Sequence, residues 1–219
     1  MQKTGIEWTD QSWNPVTGCK HNCDYCYARD IHHRFGRTWE PTFHPNRLQQ
    51  PRKKKKSLMI FVCSMADLFG SWVPQIWIDA VLNEVVNSPQ HIFQFLTKNP
   101  ERLLEQSWPE NSWVGASTTT KKQMERAMAV LPNVKANVRF ISAEPLLEPV
   151  RQTKHIEWTI IGAQTGRGAH QPPVEWVNNL SADARKFGSS LFYKPNLNWS
   201  KPPREYPLKN EREMSFQFG

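Results

Sequence analysis

The sequence predicts an α/β fold, a partial (β/α)6-7 barrel of the TIM type spanning residues 1–195, and three observations carry that expectation. Six short apolar runs recur after the first quarter of the chain, each closing on small or polar residues. Stretches with helical spacing lie between several of them. At 219 residues the chain is shorter than the ~250 typical of a complete eight-unit barrel.

The runs are Leu58–Val62, Ile92–Leu96, Trp113–Ala116, Val138–Ile141, Trp158–Ile161 and Leu191–Tyr193. Several are almost continuously apolar, as expected of parallel strands covered on both faces. A seventh strand is expected near Ile6–Trp13. Helices are expected over Pro74–Val86, Thr120–Leu131 and Pro173–Phe187, with Ile76, Trp77, Ala80, Val81 and Val85 on the buried face of the first and Val174, Val177, Leu180 and Ala184 on that of the third. Strand alternating with helix implies βαβ units, with chemistry collected at the carboxyl ends of the strands. An open doubly wound sheet is the competing architecture. Residues 196–219, rich in Pro and polar residues, are expected to form an irregular tail packed on the barrel.

Composition narrows the class further. With 38% apolar and 22% charged residues the chain reads as an ordinary globular protein, and no run of eighteen apolar residues suggests a membrane span. The opening MQKTGIEWTDQSW has no secretory core, so a cytoplasmic location is expected. A net charge of +8 favours phosphate-rich partners, though charge alone leaves nucleic acid an open option. The basic run Arg52–Lys56 reads as a solvated connection, with a phosphate-contacting patch as the alternative.

Three of the four cysteines, Cys19, Cys23 and Cys26, fall within eight residues in a C-x3-C-x2-C spacing. Three thiols in a reducing compartment point to metal or catalysis rather than a disulfide. Short loops let such cysteines reach separate corners of an iron–sulfur cube, and three ligands leave one iron open to a substrate. A structural zinc site is the alternative, needing a fourth ligand from His21, His32, His33 or Cys63. Cys63, after five apolar residues, reads as a buried thiol. Most of the ten tryptophans read as packing, with Trp8, Trp13 and Trp39 placed to shield the metal or stack on a base.

These cysteines, with Tyr25 just before the last, resemble the signature of the radical S-adenosylmethionine superfamily. The stretch TGIEWTDQSWNPVTGC…CDYCYAR, with SMADLFG, FLTKNPERL, SAEPLL and GAQTGRGA further on, is similar to the phage-associated Gp37/Gp68 proteins, the three-Cys-motif family. The resemblance runs from about Thr4 to Lys194 and implies a [4Fe–4S] cluster on Cys19, Cys23 and Cys26. It implies S-adenosylmethionine on the open iron, cleaved by one electron into methionine and a 5′-deoxyadenosyl radical that abstracts hydrogen. It also implies a cellular or phage electron donor, and relatives suggest a companion protein encoded nearby.

Cofactor contacts are expected from Tyr25 (adenine), from Ser64 and Asp67 (methionine amine) and from Ser117 and Thr118 (ribose or carboxylate); packing and helix capping are the competing roles. Glu144 is expected to contact a cofactor hydroxyl or the substrate, against an ion pair with an arginine. Gly162 belongs to a tight turn lining the cofactor, and Lys98, Arg167 and Lys194 are candidates to hold a substrate anion. Three functions stay open on the sequence: radical chemistry on a nucleic acid or nucleotide, the same chemistry on a peptide or small metabolite, and a zinc-stabilised nucleic-acid-binding module without catalysis.

Overall fold

The structure is a computed structural model and describes residues 1–36, 38–166 and 168–207. Among the described residues ten strands and four α-helices follow in chain order: β1 (Gln2–Lys3), β2 (Gln11–Trp13), β3 (Val16–Thr17), α1 (Tyr27–Arg34), β4 (Thr42–Phe43), β5 (Met59–Val62), α2 (Gln75–Val86), β6 (Ile92–Thr97), β7 (Ser112–Ser117), α3 (Lys121–Val130), β8 (Val138–Ala143), β9 (Trp158–Ile161), α4 (Val174–Lys186) and β10 (Ser190–Tyr193). One sheet runs β1-β2-β5-β6-β7-β8-β9-β10, antiparallel at its first pair and parallel through the other seven strands. β3 and β4 form a separate antiparallel pair beside the cysteine loop.

This order decides between the two predicted architectures. Each parallel strand lies next to its predecessor in the sheet, with no reversal of direction. Right-handed crossovers in such a sheet place every connection on one face, whereas a doubly wound sheet reverses at a switch point. The other face therefore turns inward on itself. It carries its own apolar cluster of Met59, Phe61, Ile92, Trp113, Val138, Phe140, Trp158, Ile160 and Phe192, closed by Trp8. The larger core, with Ile60, Val62, Val114, Ile141, Ile161, Leu191 and Tyr193, lies under the helices. Gly115 makes room within the barrel, because a Cβ there would fall 2.6 Å from the Phe140 ring.

The six later apolar runs all become strands within a residue or two of the expected ends. Two crossovers are not α-helical: β6 reaches β7 through the 3-10 segment Pro100–Glu105, and β8 reaches β9 through an irregular stretch, 144–157. The N-terminal strand is shorter than expected. Only Gln11–Trp13 pairs with β5, while Thr9 N–H turns back to the Ile6 carbonyl (3.4 Å) and Trp8 enters the barrel. Burying that indole among Phe61, Phe140 and Trp158 outweighs extending the strand, with ring centroids 4.8, 6.2 and 6.1 Å away.

Two assignments of helix faces are corrected. Ile76 and Val174 are 72% and 60% exposed, because the faces on the sheet are set by Ile78, Val81, Leu82, Val85 and by Val177, Leu180, Ala184. Ile76 sits two residues, about 200° of helical rotation, from Ile78. Of the tail, Glu205 N–H and Pro203 C=O hydrogen-bond to Leu191 and Tyr193 of β10 (each 2.8 Å), and Tyr206 packs on Trp158 with centroids 5.3 Å apart. Residues 208–219 lie outside the described part. Among the described residues no helix is long and apolar enough to cross a membrane.

Candidate active site

A cavity of about 210 Å³ opens at the carboxyl ends of the strands. That is several times the ~30 Å³ share of one water molecule, so a ligand rather than trapped solvent suits it. The alternation of strand side chains explains its lining. Two residues beyond inward Phe61, Leu96, Phe140 and Phe192 come Cys63, Lys98, Ser142 and Lys194, and two beyond Ser142 comes Glu144; all of these line the cavity. Trp8, Phe61 and Leu96 form its apolar floor.

The cysteine loop forms one wall. Cys19, Cys23 and Cys26 are free, half-buried thiols, and all three line the cavity. The loop is pinned at its start, where Gly18 N–H donates to the Met65 carbonyl (2.9 Å) and Gly18 bridges Ala66 beyond β5. Gly18 has φ +86°, and a Cβ there would meet the Glu40 carbonyl oxygen at 2.2 Å, so only glycine fits. At its end Cys26 caps α1, its Sγ accepting from Arg29 N–H at 3.4 Å. Burial pushes the Cys19 thiol up to about 11, with the neighbouring thiols and Asp67 adding to the rise.

Asp67 is 5% exposed and its carboxylate is fully engaged. It accepts from Thr97 Oγ1 (2.7 Å), Lys98 N–H (2.9 Å) and Phe69 N–H (3.0 Å), and pairs with His21 Nε2 at 2.6 Å. His21 lies within the cysteine loop and packs edge-on against Trp72, with centroids 4.8 Å apart. The sequence reading weighed His21 only as a zinc ligand, and the pattern offered no sign that Asp67 would hold it. Neither Ser64 nor Asp67 caps α2, whose N-cap is Pro74. Ser64 Oγ contacts Asn14 Oδ1 (3.2 Å), and the Ser64 carbonyl accepts from the Tyr27 hydroxyl (3.2 Å).

Tyr25 lines the cavity with its hydroxyl 3.1 Å from Lys98 Nζ and 3.3 Å from Thr119 Oγ1. Ser117 faces the cavity; Thr118, one residue on, is fully buried and does not line it. The cap of α3 is Thr120, accepting from Gln123 N–H at 3.4 Å.

Glu144 is paired, with Lys194 rather than an arginine. Lys194 Nζ also lies 3.4 Å from Glu7 Oε2, so one buried ammonium serves two carboxylates. Burial alone would depress the Lys194 pKa, yet Glu144 and then Glu7 outweigh it and hold it raised. Burial raises Glu144, against the pull of Lys194. Gly162 sits between them: a Cβ there would lie 3.1 Å from both Glu144 Cγ and Lys194 Cδ. Glu7 is the site residue, and the His21–Asp67 pair the contact, that sequence reasoning missed. Arg167 lies outside the described residues.

Trp8 and Trp39 line the cavity, whereas Trp13 is buried on the other face of the sheet. The basic run Arg52–Lys56 precedes β5 and so lies at the opposite end of the barrel from the cavity. Arg52 there is bound to Glu84 (Nε–Oε1 2.8 Å).

The donor set fits an iron–sulfur cluster. Three thiols share one cavity wall, and cube corners are spread wider than the donors around a single ion. Among the described residues no three His, Cys, Asp or Glu side chains converge as a single-ion site. Three of the four suggested fourth zinc ligands are otherwise placed: His21 on Asp67, His32 Nδ1 at the Thr38 carbonyl (3.0 Å), and Cys63 in the core with its thiol pushed up to about 12 by burial.

Fold and site together define a partial parallel (β/α) barrel with a three-cysteine loop at its mouth. The chain belongs to the DUF5131 family, a protein family of unknown function whose model matches residues 3–215. Its fold is that of spore photoproduct lyase. The lyase complexed with dinucleoside spore photoproduct superposes with a TM-score of 0.63 at 9% identity, over 88% of this chain and 79% of that one. A cysteine-to-serine mutant of the lyase gives 0.62 at 10% identity with the same coverage. No curated protein matches the sequence.

Proposed function

We propose that the protein is a radical S-adenosylmethionine enzyme acting on a nucleic acid or nucleotide, with a [4Fe–4S] cluster on Cys19, Cys23 and Cys26. The observation that carries this reading is the placement of three free thiols on one wall of the cavity that opens at the strand ends. The spacing of the cysteines and the similarity to the Gp37/Gp68 proteins support it further. A net charge of +8 favours a polyanionic substrate, and the superposed lyase carries a dinucleoside ligand.

The chemistry supplied by the bound cluster and S-adenosylmethionine is one-electron cleavage of a sulfur–carbon bond, giving methionine and a 5′-deoxyadenosyl radical that takes hydrogen from the substrate. The chain's own residues do the rest. Gly18 and the His21–Asp67 contact fix the course of the loop. The floor of Trp8, Phe61 and Leu96 keeps water from the base of the cavity. Ser117, Ser142 and the Glu144–Lys194 pair present hydroxyls and charge toward a polar ligand. An electron donor and a companion protein complete the proposed system, and free thiols suit a reducing cytoplasm.

Anaerobic reconstitution with iron and sulfide, followed by dithionite and S-adenosylmethionine, tests the reading. Release of 5′-deoxyadenosine that disappears in Cys23→Ala is the expected result. About one zinc per chain, no iron and no product would instead establish a non-catalytic module.

A further inference from the structure

Resting on the nucleic-acid reading above, we infer that a second pocket, behind the cysteine loop, binds a backbone phosphate of the polynucleotide substrate. This pocket, about 300 Å³, lies between the loop and the N-terminal half of α3. His21, Cys23 and Lys98 line both it and the main cavity, and so form the wall between the two. Its remaining lining is Ser71, Trp72, Asn99, Gln123 and Arg126.

The chemistry of that lining is one-sided. Two cations face the pocket, the other polar groups can donate, and no lining residue is acidic. Arg126 is tied to Glu101 by its Nε and Nη2 atoms (2.8 and 2.5 Å), which fixes the guanidinium. Its Nη1 makes only a long contact to the Lys98 carbonyl (3.4 Å), so donor capacity remains on the pocket side. Gln123 accepts through Oε1 from Thr119 N–H (2.9 Å) and Thr119 Oγ1 (2.7 Å), and its Nε2 donates to no partner among the described residues. Lys98 Nζ, held by the Tyr25 hydroxyl, stands between the two spaces. A tetrahedral anion suits such a set of charged and neutral donors.

The position of the pocket selects a polymer over a free anion. A base or sugar in the main cavity and a phosphate behind the wall are parts of one chain, with Lys98 reachable from both. Lys53–Lys56, the more obvious basic feature, lie at the far end of the barrel and cannot serve a strand bound here.

The test is fluorescence anisotropy of fluorescein-labelled 12-mer single strands, one of DNA and one of RNA, between 50 and 200 mM salt. Wild type is compared with Arg126→Gln, Gln123→Glu and the control Lys53→Gln/Lys55→Gln. Gln123→Glu keeps the acceptor for Thr119 and places an acid in the first turn of α3, where the helix dipole favours it; it adds charge to the pocket without threatening the fold. Expected are a roughly tenfold weaker Kd in each pocket variant, a salt slope lower by about one in Arg126→Gln, and a smaller loss in the control. The stronger of the two arms identifies the sugar. Wild-type binding that neither pocket variant weakens beyond the control overturns the phosphate site while leaving the nucleic-acid reading standing. No binding of either strand by wild type at 50 mM salt overturns both.

Discussion

His21 Nε2 meets Asp67 Oδ2 at 2.6 Å, and through this contact the cysteine loop is held to the ends of β5 and β6. Burial alone would raise the Asp67 pKa; the hydrogen bond and charge of His21, followed by the Lys98 N–H and the Thr97 hydroxyl, outweigh it and hold it below 3.8. A carboxylate so depressed contributes stability above its unfolded pKa, and that contribution is lost as pH falls through the lower folded value.

Asp67→Asn is therefore expected to destabilise the protein by about 2–4 kcal/mol near neutrality, because an amide cannot accept from four donors at once. Urea denaturation measures the loss, which should shrink as the pH is lowered from about 5 toward 3. Iron bound per chain after reconstitution should fall as well. A difference that is unchanged across that pH range would remove the carboxylate from this role.

Lys194→Met leaves Glu144 and Glu7 facing each other without a counter-ion, and a loss of about 3 kcal/mol is expected. The double variant Lys194→Met/Glu144→Gln should recover a substantial part of it, giving a coupling of at least 1 kcal/mol in a double-mutant cycle. Strict additivity would show that the short contact in the structure does not act as a pair. In wild type, Lys194's contribution is complete below its unfolded pKa of 10.5 and disappears as pH rises through the higher folded one.

Cys63 separates the two kinds of thiol. Its side chain is 3% exposed and its pKa is pushed up to about 12 by burial, so it should resist iodoacetamide in the folded protein at pH 8 and react only in denaturant. Cys63→Ala should keep its iron after reconstitution, whereas Cys19→Ala, Cys23→Ala and Cys26→Ala should each lose most of it. Iron loss in Cys63→Ala equal to that in the other three would reassign the ligands.

Gly115→Ala places a methyl group 2.6 Å from the Phe140 ring inside the barrel, and should cost about 1–3 kcal/mol. Gly5, with nothing within 4 Å of such a methyl, is the matched control, and its substitution by alanine should be near neutral. Equal melting temperatures for the two variants would mean that the interior yields at no cost.

The sequence alone determined the six later strands, three of the four α-helices among the described residues and the cysteine loop, because each is a local pattern. Met59–Val62 is apolar throughout since both its faces are covered, and Cys19, Cys23 and Cys26 are close simply because they are close in the chain. Their positions just past apolar runs also put Lys98, Ser117, Glu144 and Lys194 at the carboxyl ends of the strands. Tertiary structure decided what those groups do there. Asp67 is spent on His21 across 46 positions, Lys194 on Glu7 and Glu144, and Tyr25 on Lys98 across 73. Partners so far apart leave no periodic trace in sequence: they meet only where strand ends converge. The same holds for Trp8, which abandons a strand to fill the barrel because burying a large indole outweighs two or three backbone pairings.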